Sequence, residues 1–190
     1  IWELSTRAYD FALLVSGAGS GGLAAANRAA SYGARVAIVE NDLVGGTCVV
    51  RGCVPKKLLV YASQFSKLYQ DGVGYGWDDV HPHVNWQRLR DIVDTEVNRL
   101  SQLHEGFLDK AAVDLIRGKA AFVDPHALAV DGRKFTAERI LIATGSEAIL
   151  PDIPGIDHAL TSREVFKLPE QPKRIAIIGG GYIGVEFAGI

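Results

Sequence analysis

Two cysteines, Cys48 and Cys53, stand five positions apart in the stretch Gly45-Gly46-Thr47-Cys48-Val49-Val50-Arg51-Gly52-Cys53-Val54-Pro55-Lys56-Lys57. Thiols at this spacing could exchange with a disulfide, ligate a metal, or do nothing but pack. On an ideal helix, Cα atoms five apart are separated by roughly 8–9 Å, whereas a disulfide spans about 4.4–6.8 Å. Pairing of the two sulfurs therefore requires a backbone that is not regular helix at both ends. Gly52 supplies the freedom for such a break, and Pro55 restricts Val54 before it. A packing role needs only two small apolar side chains that never meet. A zinc site would need further ligands, and no second cysteine pair exists; the nearest His-x-His is His81 and His83. Lys56, three residues after Cys53, could set a positive charge beside a thiolate.

The elements around this stretch decide among these chemistries. Tyr9 to Ser16 reads as a buried strand running into Gly17-Ala18-Gly19-Ser20-Gly21-Gly22. The Ala-rich run Leu23 to Tyr32 reads as a helix that Gly33 stops, and Ala34 to Glu40 as a second buried strand. Gly17, Gly19 and Gly22 fall in the G-x-G-x-x-G frame, with the acidic Glu40 eighteen positions after Gly22. The three glycines permit a tight turn, close approach of a pyrophosphate and close helix–strand packing, and Glu40 can accept from a ribose diol. Ser16 is unusual at the end of an apolar strand; a bond to local backbone is the simplest account.

Leu58 to Tyr69 continues as an amphipathic helix, followed by a glycine-punctuated loop from Asp71 to Trp77. Asn85 to Lys110 carries apolar residues near helical spacing. Val113 to Val123 and Ala127 to Val130 alternate like antiparallel strands, with Asp131-Gly132 as a hairpin turn. Arg139-Ile140-Leu141-Ile142-Ala143-Thr144-Gly145-Ser146 is another buried strand ending in a polar, glycine-containing tip, where a doubly wound sheet places ligands. Pro151-Asp152-Ile153-Pro154-Gly155 marks a boundary, which predicts domains at 1–150 and 151–190. Lys173 to Ile178 reads as a strand leading into a second G-x-G-x-x-G, with Gly179, Gly181 and Gly184, and Val185 to Gly189 opens its helix. The fold expected is α/β: a three-layer Rossmann-like dinucleotide-binding domain with an inserted antiparallel β segment, then the start of a second dinucleotide-binding domain.

Bulk properties bound the rest. A formal charge of −2 over 190 residues lacks the basic face of a nucleic-acid binder. A 48% hydrophobic content supports a packed core, and no apolar run approaches the roughly 18–20 residues of a membrane span. Ile1 to Arg7 does not follow the basic-then-apolar order of a secretory signal. Two close cysteines in such a chain favour redox or metal chemistry in the cytoplasm over a secreted scaffold. The sequence contains no Met, which points to a fragment.

A dinucleotide site, a cysteine pair, a strand-end tip and a second dinucleotide site form an order that suggests electrons passing from nicotinamide to flavin to disulfide. A flavin is the expected intermediary between a hydride and a dithiol, and the cysteines would exchange with a substrate disulfide through a thiolate. Glu186, on the second glycine motif's helix, is a candidate partner for Lys56.

Gly-Gly-Thr-Cys-x4-Cys-Val-Pro-Lys-Lys, set between two such motifs, resembles the flavoprotein disulfide reductases, and the likeness runs from Tyr9 to Ile190. Within that family, Lys57 after Lys56 is similar to glutathione and trypanothione reductases; lipoamide dehydrogenases and mercuric reductases usually show Pro-Ser-Lys. The resemblance implies that Cys48 attacks glutathione disulfide, that Cys53 makes a charge-transfer contact with FAD, and that Lys56 lies near the flavin N5, paired with Glu186. It implies FAD contacts at Ser20, Gly21, Glu40, Thr47, Lys119, Ala120, Thr144 and Gly145, with Gly46, Cys48 and Lys56 in the same cradle. NADPH is expected at Gly179, Gly181, Tyr182, Ile183, Gly184 and Glu186, with Tyr182 gating the nicotinamide. Ser20 also borders the substrate cavity. Two positions depart from the pattern: Asn27 stands where some glutathione reductases have an Arg, and His104 where a Tyr usually lies over the substrate. The family further implies a homodimer, with the acid–base His and the arginines that read the NADPH 2′-phosphate beyond position 190, so that this stretch alone is not expected to turn over. Another reductase of the family, or a non-catalytic FAD-binding module, are the competing readings.

Overall fold

The computed structural model describes residues 8–190; Ile1 to Arg7, read above for a secretory signal, lie outside the described residues. The described chain divides into two compact units, residues 8–50 with 98–147 and residues 51–97 with 148–190.

The first unit is built on β1 (Phe11–Ser16), α1 (Ser20–Ser31) and β2 (Val36–Glu40), with β3 (Asp114–Arg117), β4 (Ala120–Asp124), β5 (Ala127–Val130) and β6 (Arg133–Ile142) completing a six-stranded sheet of order β3-β2-β1-β6-β5-β4. Its first four strands in that order run parallel: β1 pairs with β2 (Leu14 opposite Ala37) and with β6 (Leu14 opposite Ile140), and β2 pairs with β3. Strands covered on both faces are apolar throughout, and Leu14, Val15 and Ile38 are completely buried. Each such side chain contributes about 1.5–3 kcal/mol on leaving water. One face of the sheet, through Val15, Val36 and Ile38, packs against Leu23 and Ala26 of α1 and against Leu108. The opposite face, through Leu14, Ala37 and Val39, packs against Leu128 and Val130 of β5. The inserted antiparallel segment is thus the third layer.

The β5–β6 hairpin closes as expected: Asp131 (φ 48°) and Gly132 (φ 80°) both turn left-handed between the paired Val130 and Arg133, a two-residue type I′ geometry. The stretch Val113–Val123 departs from expectation. Alternation marked it as antiparallel, but β3 pairs in parallel with β2, and only β4 is antiparallel, to β5. Gly118, at φ +137°, splits the run. Alternating hydrophobicity reports that a segment is extended, not which strand it pairs with.

The second unit contains α3 (Cys53–Val73), the first turns of the helix α4 (Trp86–Lys110), α5 (Ser162–Val165) and α6 (Tyr182–Ala188); the short helix α2 (Gly46–Arg51) precedes α3. The Trp86 indole donates to the Leu168 carbonyl at 2.9 Å, and the rings of Phe166 and Phe187 lie 5.4 Å apart. Lys173–Ile178, expected as a strand, is irregular, with Ile175 and Ile178 exposed. A strand needs a ladder partner, and all six described strands lie in the other unit. No helix among the described residues is long and apolar enough to cross a membrane.

Candidate functional site

In the first unit the parallel register brings the C-terminal ends of four strands to one edge: Ser16 opposite Val39 and Ile142, and Glu40 opposite Arg117. The glycine-rich turn crosses this edge. Gly17 adopts φ +106°, and a Cβ there would lie 2.2 Å from the Ala143 carbonyl oxygen. Its amide donates to the Val39 carbonyl at 2.8 Å, while the Ala143 amide donates to Ser16. A Cβ on Gly22 would lie 1.9 Å from the Gly17 oxygen, so α1 packs against the turn as closely as backbone allows. Gly46, at the start of α2, faces Gly19: a Cβ on Gly46 would lie 2.5 Å from the Gly19 Cα. Gly45 donates to the Ala18 carbonyl at 2.9 Å.

This cradle fits an anionic dinucleotide. The N-cap of α1 is Gly19, with no side chain capping the first turn, so amides that an α-helix leaves without internal partners remain for a pyrophosphate. Glu40 is held on the same edge: one carboxylate oxygen accepts from the Ala18 amide at 2.8 Å, the other from Asn41 and Asp42, each at 2.9 Å. Three of about four acceptor positions are used, which leaves one for a ribose hydroxyl. Gly118 donates to the Glu40 carbonyl at 3.0 Å, so Lys119 and Ala120 follow directly beyond the end of β2. Thr144 lies against Gly17, its Cα 3.1 Å from where a Cβ would be, and Gly145 turns at φ +77°. Gly21 opens α1 with nothing within 4 Å of its Cβ position. Thr47 and Cys48 follow Gly46 on α2 and are exposed.

In the second unit the helix is broken at Gly52, where φ −146° and ψ −116° depart from helical values. Cys53 is the first residue of the 21-residue α3 and is exposed; no side chain caps this end, so the residue stands at the positive end of the helix dipole. One turn on, the Lys56 ammonium pairs with the Glu186 carboxylate at 2.9 Å, the two side chains 21% and 43% exposed. Glu186 belongs to α6, which starts one residue after Gly181 and carries Tyr182, Ile183 and Gly184. Helices α3 and α6 are also joined by the Ser63 hydroxyl, which donates to the Gly189 carbonyl at 3.3 Å. A shallow cleft between them is lined by Val60, Gly180, Tyr182, Val185, Glu186 and Gly189. Tyr182 is 82% exposed over it.

The residues marked for substrate are less gathered. Ser20 and Asn27 lie seven apart on α1, the spacing of one helix face, but the Asn27 amide donates back to the Leu23 carbonyl at 2.9 Å. His104 meets the ring of Phe107 edge-on at 6.0 Å. Among the described residues no group of three His, Cys, Asp or Glu side chains could hold a metal ion; His81 lies 3.7 Å from Asp79.

Residues 11–190 match the pyridine nucleotide-disulphide oxidoreductase family. The chain belongs to this family. It is 60% identical to the glutathione reductase of Nostoc sp. over 182 residues, covering 96% of this chain and 40% of that protein. It is 45% identical to the chloroplastic/mitochondrial glutathione reductase of Pisum sativum, covering 97% of this chain and 35% of that one. Among solved structures, the HOCl-induced flavoprotein disulfide reductase RclA from Escherichia coli superposes with a TM-score of 0.77 at 34% identity, over 93% of this chain and 38% of that one. The chain therefore spans about 40% of the length of the curated relatives it matches.

For a pyridine nucleotide-disulphide oxidoreductase, three contributors at the strand edge carry no motif signal of their own, although Ala143 belongs to the strand-end tip and Gly45 to the cysteine stretch. Ala143 closes over Gly17, Gly45 ties the α2 turn to Ala18, and Arg117 reaches the loop after Glu40. Ala143 and Gly45 act through backbone atoms, which side-chain chemistry does not advertise. Arg117 was hidden by the misassigned pairing of β3.

Proposed function

We propose that the protein is an NADPH-dependent, FAD-containing glutathione-disulfide reductase in which Cys48 and Cys53 form the redox-active pair. The observation that carries this reading is the Lys56–Glu186 ion pair, which ties the cysteine-bearing helix α3 to the helix of the second glycine-rich turn. The strand-edge cradle supports FAD as the first nucleotide. The second turn, with Gly179, Gly181, Tyr182, Ile183 and Gly184, supports NADPH as the other. The boundary of the second nucleotide's domain is proposed at residue 151. When bound, FAD would accept two electrons as hydride from NADPH and pass them to the disulfide.

The chain's own residues do the rest. The α1 amides and Gly46 hold the pyrophosphate, Glu40 accepts from the ribose, and Lys56, oriented by Glu186, supplies a fixed positive charge next to Cys53. The Cys48 thiolate attacks one sulfur of glutathione disulfide, forming a mixed disulfide and releasing one glutathione thiolate. The Cys53 thiolate then attacks the Cys48 sulfur, releasing the second glutathione and re-forming the internal disulfide. The balance is NADPH, one proton and glutathione disulfide in, NADP⁺ and two glutathione out. Ser20, Asn27 and His104 are placed on the substrate side of this reading. A homodimer and a cytoplasmic location belong to the same proposal; the pea relative's organellar name makes fractionation the check on the second.

The test is spectroscopic. Full-length protein reduced by two electrons is expected to show a long-wavelength absorption band that Cys53→Ser abolishes, while Cys48→Ser retains it but cannot reduce glutathione disulfide. Absence of the band in the wild type would sink the relay. Relative rates with glutathione, trypanothione and lipoamide disulfides decide the substrate.

A further inference from the structure

The acid of the nucleotide site sits at the start of a loop, and a loop holds a carboxylate in place only if something holds the loop. In the first unit that restraint comes from β3. The Arg117 guanidinium donates through one nitrogen to the Asp42 carbonyl and through the other to the Glu105 carboxylate of α4. The next residue, Gly118, donates its amide to the Glu40 carbonyl at 3.0 Å. Two consecutive residues therefore grip both ends of the segment Glu40–Asp42, while the Glu40 side chain itself accepts from the amides of Ala18, Asn41 and Asp42.

Stability does not explain this arrangement. The Arg117 and Glu105 side chains are 45% and 37% exposed, and ion pairs so open to water contribute little to folding. Its consequence is geometric: a planar fork with two fixed partners has few ways to move, and displacing Asp42 would carry with it two amides that aim the Glu40 carboxylate.

We propose that Arg117 is a positioning residue of the nucleotide site, fixing the Glu40–Asp42 loop so that the last open acceptor position of Glu40 meets the ribose of the bound dinucleotide, with Glu105 holding the guanidinium in register. This rests on the FAD reading above. Arg117 acts through Glu40.

The test is a double-mutant cycle on FAD affinity, measured by reconstituting full-length apoprotein with FAD and following flavin fluorescence. Arg117→Met is expected to raise the FAD dissociation constant about tenfold, the scale of one charge-assisted hydrogen bond. In a Glu40→Gln background the same change is expected to cost less than about threefold, because the residue it positions has already lost its charge. FAD-saturated enzyme is expected to keep its kcat and its KM for NADPH. Glu105→Gln, a milder variant should Arg117→Met not fold, is expected to weaken FAD about threefold and likewise only when Glu40 is intact. Wild-type FAD affinity in the variant that folds, or a loss undiminished in the Glu40→Gln background, would overturn the positioning role. Full-length wild-type protein that binds no FAD would instead overturn the flavin reading, and this inference with it.

Discussion

The chain builds the same glycine-rich turn twice, and the two copies differ in what surrounds them. Gly17 and Gly179 adopt φ of +106° and +105°. In each copy the last glycine packs on the first: a Cβ on Gly22 would meet the Gly17 oxygen and Val15, and one on Gly184 would meet the Gly179 oxygen and Ile177. Val15 and Ile177 both stand two residues before their turn. Beyond that local core the likeness stops. Around Gly17 and Gly19 lie Ala143 of the β6 tip and Gly46 of α2, whereas nothing lies within 4 Å of a Cβ on Gly179 or Gly181. Strand β1 feeds the first turn from inside a ladder, while Lys173–Ile178 feeds the second without one. The turn is a property of its own six residues; the clasp and the strand come from partners distant in sequence.

Matched substitutions should separate those two contributions, and the largest effect belongs to the packed copy. Gly22→Ala places a methyl 1.9 Å from backbone oxygen, with Val15 at 3.2 Å, and neither atom is a flexible side-chain end. We expect about 3 kcal/mol or more of destabilisation and loss of bound FAD, since overpacking against backbone costs at the high end of its range. Gly184→Ala meets oxygen at 2.8 Å and Ile177 at 3.0 Å, and is expected to cost about 1–2 kcal/mol. Thermal unfolding with flavin retention, measured on the full-length protein, reads both. Equal losses at the two positions would show that the turn itself, not its surroundings, dominates.

Glu186→Gln probes an ion pair that the helix of the second copy makes. It keeps the shape of the α6 side chain and removes the charge facing Lys56. We expect kcat for disulfide reduction to fall about threefold with FAD affinity unchanged, because Glu186 is 43% exposed and solvent screening leaves the pair at about 0.5–1 kcal/mol in orientation and field. Weakened FAD binding with unchanged kcat would place the pair's role at the first nucleotide instead.

The contrast between the copies also marks how far a single sequence can be read. Both turns, the stop at Gly33 and the Asp131-Gly132 hairpin were legible because a positive φ selects residue type within two or three positions. The Lys56–Glu186 pair was anticipated from chemistry, since a partly enclosed ammonium needs an anion. The pairing of β3 was not legible: Asp114–Arg117 lies opposite Ala37–Glu40, a partnership across more than seventy residues that no local pattern encodes. Losing that register meant losing Arg117. Lys173–Ile178 shows the reverse error. Its Ile-Ala-Ile-Ile composition predicts a buried strand, yet composition cannot supply the neighbouring strand a ladder requires.

The smallest expected effect compares how the two units respond to acid, each through one surface carboxylate. Asp10 lies just before β1, and its carboxyl is held below the usual carboxylate range, chiefly because the Thr136 amide of β6 donates to it at 2.8 Å, then because the Thr136 hydroxyl does so as well. Glu164 of α5 is lowered in the same direction, chiefly by the Thr161 hydroxyl and then by the Thr161 amide, in a capping box. A carboxyl whose folded value is depressed stabilises the fold above its unfolded value, near 3.8 for Asp10 and 4.5 for Glu164, and loses that contribution as pH falls through the lower folded value. Both groups face solvent, so each contribution is small. Residue-resolved amide exchange of the full-length protein between pH 6 and pH 3 reads the two locally. Asp10→Asn is expected to remove the acid-dependent loss of protection in β1 without touching α5, and Glu164→Gln to do the converse. Protection in β1 that falls with acid equally in wild type and Asp10→Asn would assign the acid sensitivity of the first turn's strand to other groups.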